Sequence, residues 1–168
     1  SSHGTHVAGI IAGTPLDEYM TDQDGNLILD KNGNPMKFTG VAPEAQLVIC
    51  KVFPDEEDAN GTVGGAEEMD ILAALEDCVK LGVDVINMSL GSSSGLSTGD
   101  NEYMQTVYDN VREAGISLVV AASNDYSSSY GGLYGTNLAS NPDSATVGSP
   151  STYPSALSVA SINGQESK

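Results

Sequence analysis

Basic side chains are scarce in this sequence. Six Lys and Arg stand against 23 Asp and Glu, a formal net charge of −17 at pH 7 over 168 residues. Nucleic-acid binding relies on Lys and Arg to displace counterions from phosphates, and an anionic membrane surface attracts the same side chains. The composition therefore argues against both partners and suits a protein facing an outside medium. Long hydrophobic runs are missing too: no apolar stretch approaches the roughly 20 residues that span a bilayer. Cysteine is limited to Cys50, within the apolar run 47–53, and Cys78, within a helical pattern. Both are expected as small core residues and not as a disulfide. There is no signal peptide, yet the first residue is Ser1 and not methionine. The chain reads as an internal piece of something longer, so the missing targeting signal is uninformative. Its length fits one domain with a real core.

What is present is an alternation of strand-like and helix-like patterns. An apolar run, 6–12, follows small polar residues that can cap a helix and place His3 in its first turn. Gly9 and Gly13 lower helix propensity by roughly 1 kcal/mol each, which is tolerable in a buried helix that needs close approach. A polar stretch, 14–39, contains Asp22-Gln23-Asp24-Gly25-Asn26 and Asp30-Lys31-Asn32-Gly33-Asn34-Pro35 around Leu27-Ile28-Leu29, the pattern of a surface hairpin. The run 47–53 predicts an interior strand of a parallel sheet. An acidic loop at 55–58 follows. Helical spacing then recurs over 67–81, with acids in the first turn and Gly82 after the end. Further on lie a strand at 83–88, a helix carrying Tyr103, Met104, Val107, Tyr108 and Val111, a strand at 116–122 and another at 156–162. Strand, helix, strand in this order predicts right-handed crossovers over a parallel sheet, an α/β fold. Ligands of such sheets gather at the carboxyl ends of strands, where Ser89 and Asn124 fall.

His3 at a helix mouth is a candidate for proton transfer, although a single histidine there is more often a cap or a surface residue. His3 and His6 share a helical face, but zinc pairs favour a spacing of four with a glutamate between, and Gly4 and Thr5 stand here instead. Metal is the weaker reading. Asp22 to Gly25 begins like a calcium loop without its closing acidic ligand, so a plain turn is preferred.

The blocks taken together resemble a known family. Ser2-His3-Gly4-Thr5-His6-Val7-Ala8-Gly9, then Asp84-Val85-Ile86-Asn87-Met88-Ser89-Leu90-Gly91, then Val119-Val120-Ala121-Ala122-Ser123-Asn124, then Ala145-Thr146-Val147-Gly148-Ser149-Pro150 with Tyr153-Pro154-Ser155-Ala156, resemble the ordered blocks of the subtilisin-like serine proteases, the subtilases. The resemblance covers nearly the whole chain. The stretch after Asn124, with Asn141-Pro142-Asp143, is similar to the cell-envelope proteinases of Gram-positive bacteria. The implied fold is a subtilisin-like α/β domain, partial here, with a mainly parallel central sheet and helices on both faces. The implied roles are His3 as general base and Asn124 as oxyanion donor. Ser89, Leu90 and Gly91 would hold an extended substrate, Gly64 and Gly65 would form the opposite wall, and Ser123 and Gly148 would line the specificity pocket. The implied partners are protein or peptide substrates, and the implied location is secreted or cell-wall associated.

The departures matter as much. Ser123 stands where the family usually has glycine, and Ser149 where some members carry an aromatic residue. The family's aspartate precedes the histidine and its nucleophile lies in a Gly-Thr-Ser-Met-Ala block; neither is found in this sequence. The expectation is thus a central part of a catalytic domain, residues 1–168, completed by other segments and, in this branch, often by a protease-associated domain. Alone it is expected to be inactive. No cofactor is required for such chemistry; structural calcium is possible but assignable to no residues. A non-catalytic, peptide-binding or scaffold relative is the alternative, and a metal-dependent hydrolase using His3 and His6 is a third.

Overall fold

The computed structural model describes residues 2–54, 64–92, 102–123 and 147–161. These fall into two compact units, 1–65 and 66–168. Asn124, the acidic loop 55–58 and the stretch 141–146 lie outside the described residues.

The first unit begins with helix α1, Ser2–Ala12. Its last carbonyls, which a helix cannot satisfy internally, are taken up by a returning segment: Val41 N–H donates to Ile10 O (2.9 Å) and Ala42 N–H to Ile11 O (2.7 Å). Close approach here depends on two glycines. A Cβ at Gly40 would lie 2.8 Å from the Ala12 carbonyl carbon, and one at Gly13 would lie 2.7 Å from Phe38 Cε1. Gly9, by contrast, has open space beside it. The expectation of a buried helix is not met, since no residue of α1 is buried. Residues 2–6, His3 and His6 among them, are exposed, while Val7, Ala8 and Gly9 are half-buried.

The polar stretch folds as two successive turns. Bridges Thr21↔Leu27, Leu29↔Pro35 and Tyr19↔Lys37 set three short antiparallel segments side by side. Asp22 and Asp30 organise the turns identically. Each carboxylate accepts the backbone N–H groups two and four residues on and the side-chain amide of Asn26 or Asn34, while Gly25 and Gly33 take φ of 83° and 84°. The hydrogen bonds from Asn26 hold the Asp22 carboxyl below its ordinary range, and those from Asn34 do the same for Asp30.

The run 47–53 is not a strand. A strand exists only through a ladder, and none of the described residues pairs with this run. Its apolar side chains stay open, Ile49 being 71% exposed. Cys50 is exposed with them, against the expectation of a core position, whereas Cys78 is buried; neither is in a disulfide.

The second unit holds the sheet. Helix α2, Glu68–Leu81, places Leu72, Leu75 and Cys78 on one buried face. Gly82 ends it at φ 68°, its N–H reaching Cys78 O and Val79 O at 3.1 Å. Strand β1, Val85–Met88, helix α3, Glu102–Glu113, and strand β2, Ser117–Ala121, form a parallel crossover, with β3, Leu157–Val159, on the far side of β2. Alternation along the strands sends Ile86, Met88, Leu118 and Val120 to one face. There they meet the apolar stripes of α2 and α3, including Met104, Tyr108 and Val111, in one core. Burying each such side chain contributes about 1.5–3 kcal/mol before entropy is counted.

Candidate substrate-binding site

Because β1 and β2 run parallel, both carboxyl ends reach the same sheet edge. The chain leaves β1 through Ser89-Leu90-Gly91-Ser92 and leaves β2 through Ala122-Ser123. A third segment, 147–150, joins the two. Ser92 and Ser149 exchange both backbone bonds as an antiparallel bridge, at 2.9 and 3.0 Å. Gly148 N–H donates to Ala122 O at 2.9 Å, and Ala122 N–H donates to Val159 O at 2.8 Å, so β3 braces the same corner.

Glycine is demanded at two points of this junction. A Cβ at Gly148 would collide with the Ser92 carbonyl oxygen and lie 3.3 Å from Ser123 Cβ. A Cβ at Gly91 would lie 2.6 Å from the Ser149 carbonyl oxygen. Leu90 packs against the core and anchors the β1 exit from below. Asn87 Nδ2 donates to Ser89 Oγ at 3.0 Å. Ser123 is exposed and adopts φ 116°, in the region that favours glycine.

The structure thus brings together five of the residues singled out from sequence: Ser89, Leu90, Gly91, Ser123 and Gly148. Gly148 is buried at the bottom of the junction. His3 belongs to the first unit, where it stands in the first turn of α1. Gly64 and Gly65 close that unit; a Cβ at Gly65 would meet nothing within 4 Å, and one at Gly64 only Pro54 Cγ at 3.4 Å. Asn124, directly after Ser123, lies outside the described residues.

Sequence reasoning named the residues at the back of the junction, Tyr153 to Ala156, but missed what holds them. After the cis Ser149–Pro150 bond, two turns, Tyr153 N–H to Pro150 O (3.1 Å) and Ala156 N–H to Tyr153 O (3.0 Å), carry the chain to β3. The Tyr153 ring rests on Tyr108 of α3, centroids 4.8 Å apart and tilted by 54°. Ser155 Oγ donates to the Asp109 carboxylate, which lies 3.6 Å from Arg112 Nη2. The Ser155 and Gln105 hydrogen bonds hold Asp109 below the usual carboxylate range, and burial raises the Tyr108 phenol. The signals in the sequence were that Tyr108 falls on the apolar stripe of α3 and that Tyr153-Pro154-Ser155-Ala156 belongs to a family-like block. Among the described residues, no group of three or more His, Cys, Asp or Glu is placed to hold a metal ion.

The strand exits meet at one sheet edge and are tied together there by a third segment. Comparison with known proteins gives this geometry a family. Residues 1–168 match the subtilase family, Peptidase_S8, over their whole length. The chain is 35% identical over 161 residues to C5a peptidase of Streptococcus pyogenes, a match covering 96% of this chain and 12% of that protein. It is 38% identical over 171 residues to the PIII-type proteinase of Lactococcus lactis subsp. cremoris, covering 98% of this chain and 7% of that one. Among solved structures it resembles the prenylagaramide maturation protease PagA, with a TM-score of 0.57 at 24% identity over 93% of this chain and 41% of that one, a likeness of fold. The subtilisin-like α/β reading of the sequence is thereby confirmed, and this chain belongs to the subtilase family of serine proteases.

Proposed function

We propose that residues 1–168 are the central part of the catalytic domain of a subtilisin-like serine endopeptidase, one that cleaves protein or peptide substrates through an acyl-enzyme. The observation that carries this reading is the junction of Ser89–Ser92, Ser123 and Gly148 at one sheet edge, in a chain that matches the subtilase family throughout. An extended substrate would lie along 89–91 and pair with its backbone, while the side chain before the scissile bond would point towards Gly148.

In this reading His3 is the general base. It takes the proton from a serine hydroxyl as that oxygen attacks the peptide carbonyl, then delivers it to the departing amine. A position in the first turn of α1 sets the imidazole on a regular element, and a carboxylate partner would orient the ring during the reaction. Asn124 donates its side-chain N–H to the developing oxyanion. Losing such a donor costs about 3 kcal/mol, a magnitude set by measurements on a subtilisin. The aspartate and the nucleophilic serine come from other segments of the full-length protein, in which a protease-associated domain is a further expected part. The isolated 168-residue chain is then inactive. No cofactor is needed for the chemistry, and structural calcium has no assigned ligands. Similarity to a streptococcal C5a peptidase and a lactococcal proteinase supports a secreted or cell-wall location.

The test uses the full-length protein and a fluorophosphonate probe. The wild type should be labelled at one serine outside this chain. His3→Ala should lower kcat at least about a thousandfold with the fold retained. The isolated chain should take no label. Near-normal turnover by the His3 variant would refute the general-base role, and absence of labelling in the full-length wild type would leave a non-catalytic, peptide-binding relative.

A further inference from the structure

The floor of the junction is a segment with little regular structure of its own. Residues 147–149 are tied to the exits of β1 and β2, but the two turns at 150–156 that follow make no ladder with the sheet before β3 begins at Leu157. What holds them is α3. Two adjacent residues of that helix, Tyr108 and Asp109, reach two residues of the turns, Tyr153 and Ser155. Tyr108 is 1% exposed and cannot swing aside, since it is locked in the core with Val111 and Met104. Asp109 meets Ser155 Oγ on one side and Arg112 on the other, so its carboxylate is held between a donor and a cation. Ser155 is 9% exposed, and Ser151, 4% exposed, is tied to Ser158 Oγ of β3, so the turns have little freedom once the clamp is made.

Resting on the protease reading above, we propose that Tyr108 and Asp109 are positioning residues. Through Tyr153 and Ser155 they fix the 147–150 segment, and thereby set which substrate side chain fits above Gly148, without touching the substrate. The argument is one of leverage. Gly148 has no spare space: any shift of the 149–153 stretch alters its fit against the Ser92 carbonyl and Ser123 Cβ. The hydroxyl–carboxylate bond between Ser155 and Asp109 ties together residues 46 apart in sequence, and it is a charge-assisted bond of the stronger kind.

The experiment compares full-length wild type with Asp109→Ala, Asp109→Asn, Ser155→Ala and the Asp109→Ala/Ser155→Ala double variant. It uses peptide amides differing only in the residue before the scissile bond: Ala, Leu or Phe. Each of the two alanine variants should change the Phe-to-Ala ratio of kcat/KM by threefold or more, chiefly through KM. The double variant should be no worse than the singles, because both remove one bond. Asp109→Asn should fall between wild type and Asp109→Ala, as its amide oxygen still accepts from Ser155 but without the charge. If Asp109→Ala does not accumulate, Ser155→Ala, the milder change, decides. A ratio unchanged in an active enzyme overturns the proposal, even where Tm falls, since that outcome leaves a purely structural clamp. A wild type that cleaves none of the series and takes no fluorophosphonate label overturns the protease reading itself, and this proposal with it.

Discussion

Gly148→Ala is the sharpest perturbation of the junction. The new methyl carbon would collide with the Ser92 carbonyl oxygen and sit 3.3 Å from Ser123 Cβ. The first obstacle is backbone, so no side-chain rotation relieves it. Either the 147–149 segment withdraws, breaking the paired bonds between Ser92 and Ser149, or the exit of β1 bends away. Overpacking of this kind costs about 1–3 kcal/mol, and each backbone bond lost adds about 1 kcal/mol. Taking about 2–3 kcal/mol in all, and roughly 2–4 °C per kcal/mol for a domain of this size, Tm should fall by about 5–10 °C. Gly65→Ala is the control, since its added methyl group meets nothing within 4 Å. It should lie within about 2 °C of wild type, or slightly above it through lower unfolded-state entropy. The assay heats the full-length protein and reads residual fluorophosphonate labelling, which follows the catalytic domain alone. Turnover in the peptide series should drop most for substrates with a large residue before the scissile bond. A Gly148→Ala variant as stable as Gly65→Ala would refute the claim that this junction is limited by space.

Two further outcomes follow from backbone and charge. Ser123 holds φ 116°, a strained value for a residue with a Cβ, so Ser123→Gly should stabilise the domain by about 1 kcal/mol and raise Tm by roughly 2–4 °C in the same assay. Asp22 and Asp30 are depressed in the folded state by the donors of their turns, so their stabilising contribution is fully present above the unfolded-state pKa and is lost as pH falls through the lower folded value. Amide exchange at Asn26 and Asn34, corrected for its intrinsic pH dependence, should therefore lose protection only below the ordinary aspartate range; loss already near neutrality would contradict the turn geometry.

Local periodicity was enough for the second unit. The patterns at 67–81, 83–88 and 116–122 correspond to Glu68–Leu81, Val85–Met88 and Ser117–Ala121, each trimmed where the ladder or helix bonding ends. The run 47–53 shows the limit of the same reasoning. Apolar sequence fixes a preference for burial, but a strand also needs a neighbour, and Leu47, Val48 and Ile49 remain exposed where the described residues provide none. The helical spacing of α1 was legible and its burial was not, for the same reason: packing is a property of partners. At the candidate site the motif residues were legible by type, whereas the meeting of 89–92 with 147–149 was not, because nothing local in either segment encodes a bridge across more than fifty residues.

Ser123 joins these two kinds of information. Set beside the subtilase pattern it was an oddity, a serine where glycine is usual. In the structure the oddity has a physical content: the chain turns through a positive φ immediately after Ala122, whose N–H and C=O are both engaged, with Val159 and Gly148. The turn is therefore imposed by the junction and not chosen by the residue, and a serine there accepts strain that glycine would avoid. Its Cβ also occupies the space 3.3 Å from where a side chain at 148 would begin. Strain at 123 and lack of space at 148 consequently share one contact, the Ser123 Cβ, beside the closer Ser92 carbonyl. A substitution that relieves the first, such as Ser123→Gly, should soften the second, and the penalty of Gly148→Ala should be smaller in that background than in the wild type. Additive penalties in the double variant would show that the Ser92 carbonyl alone sets the limit.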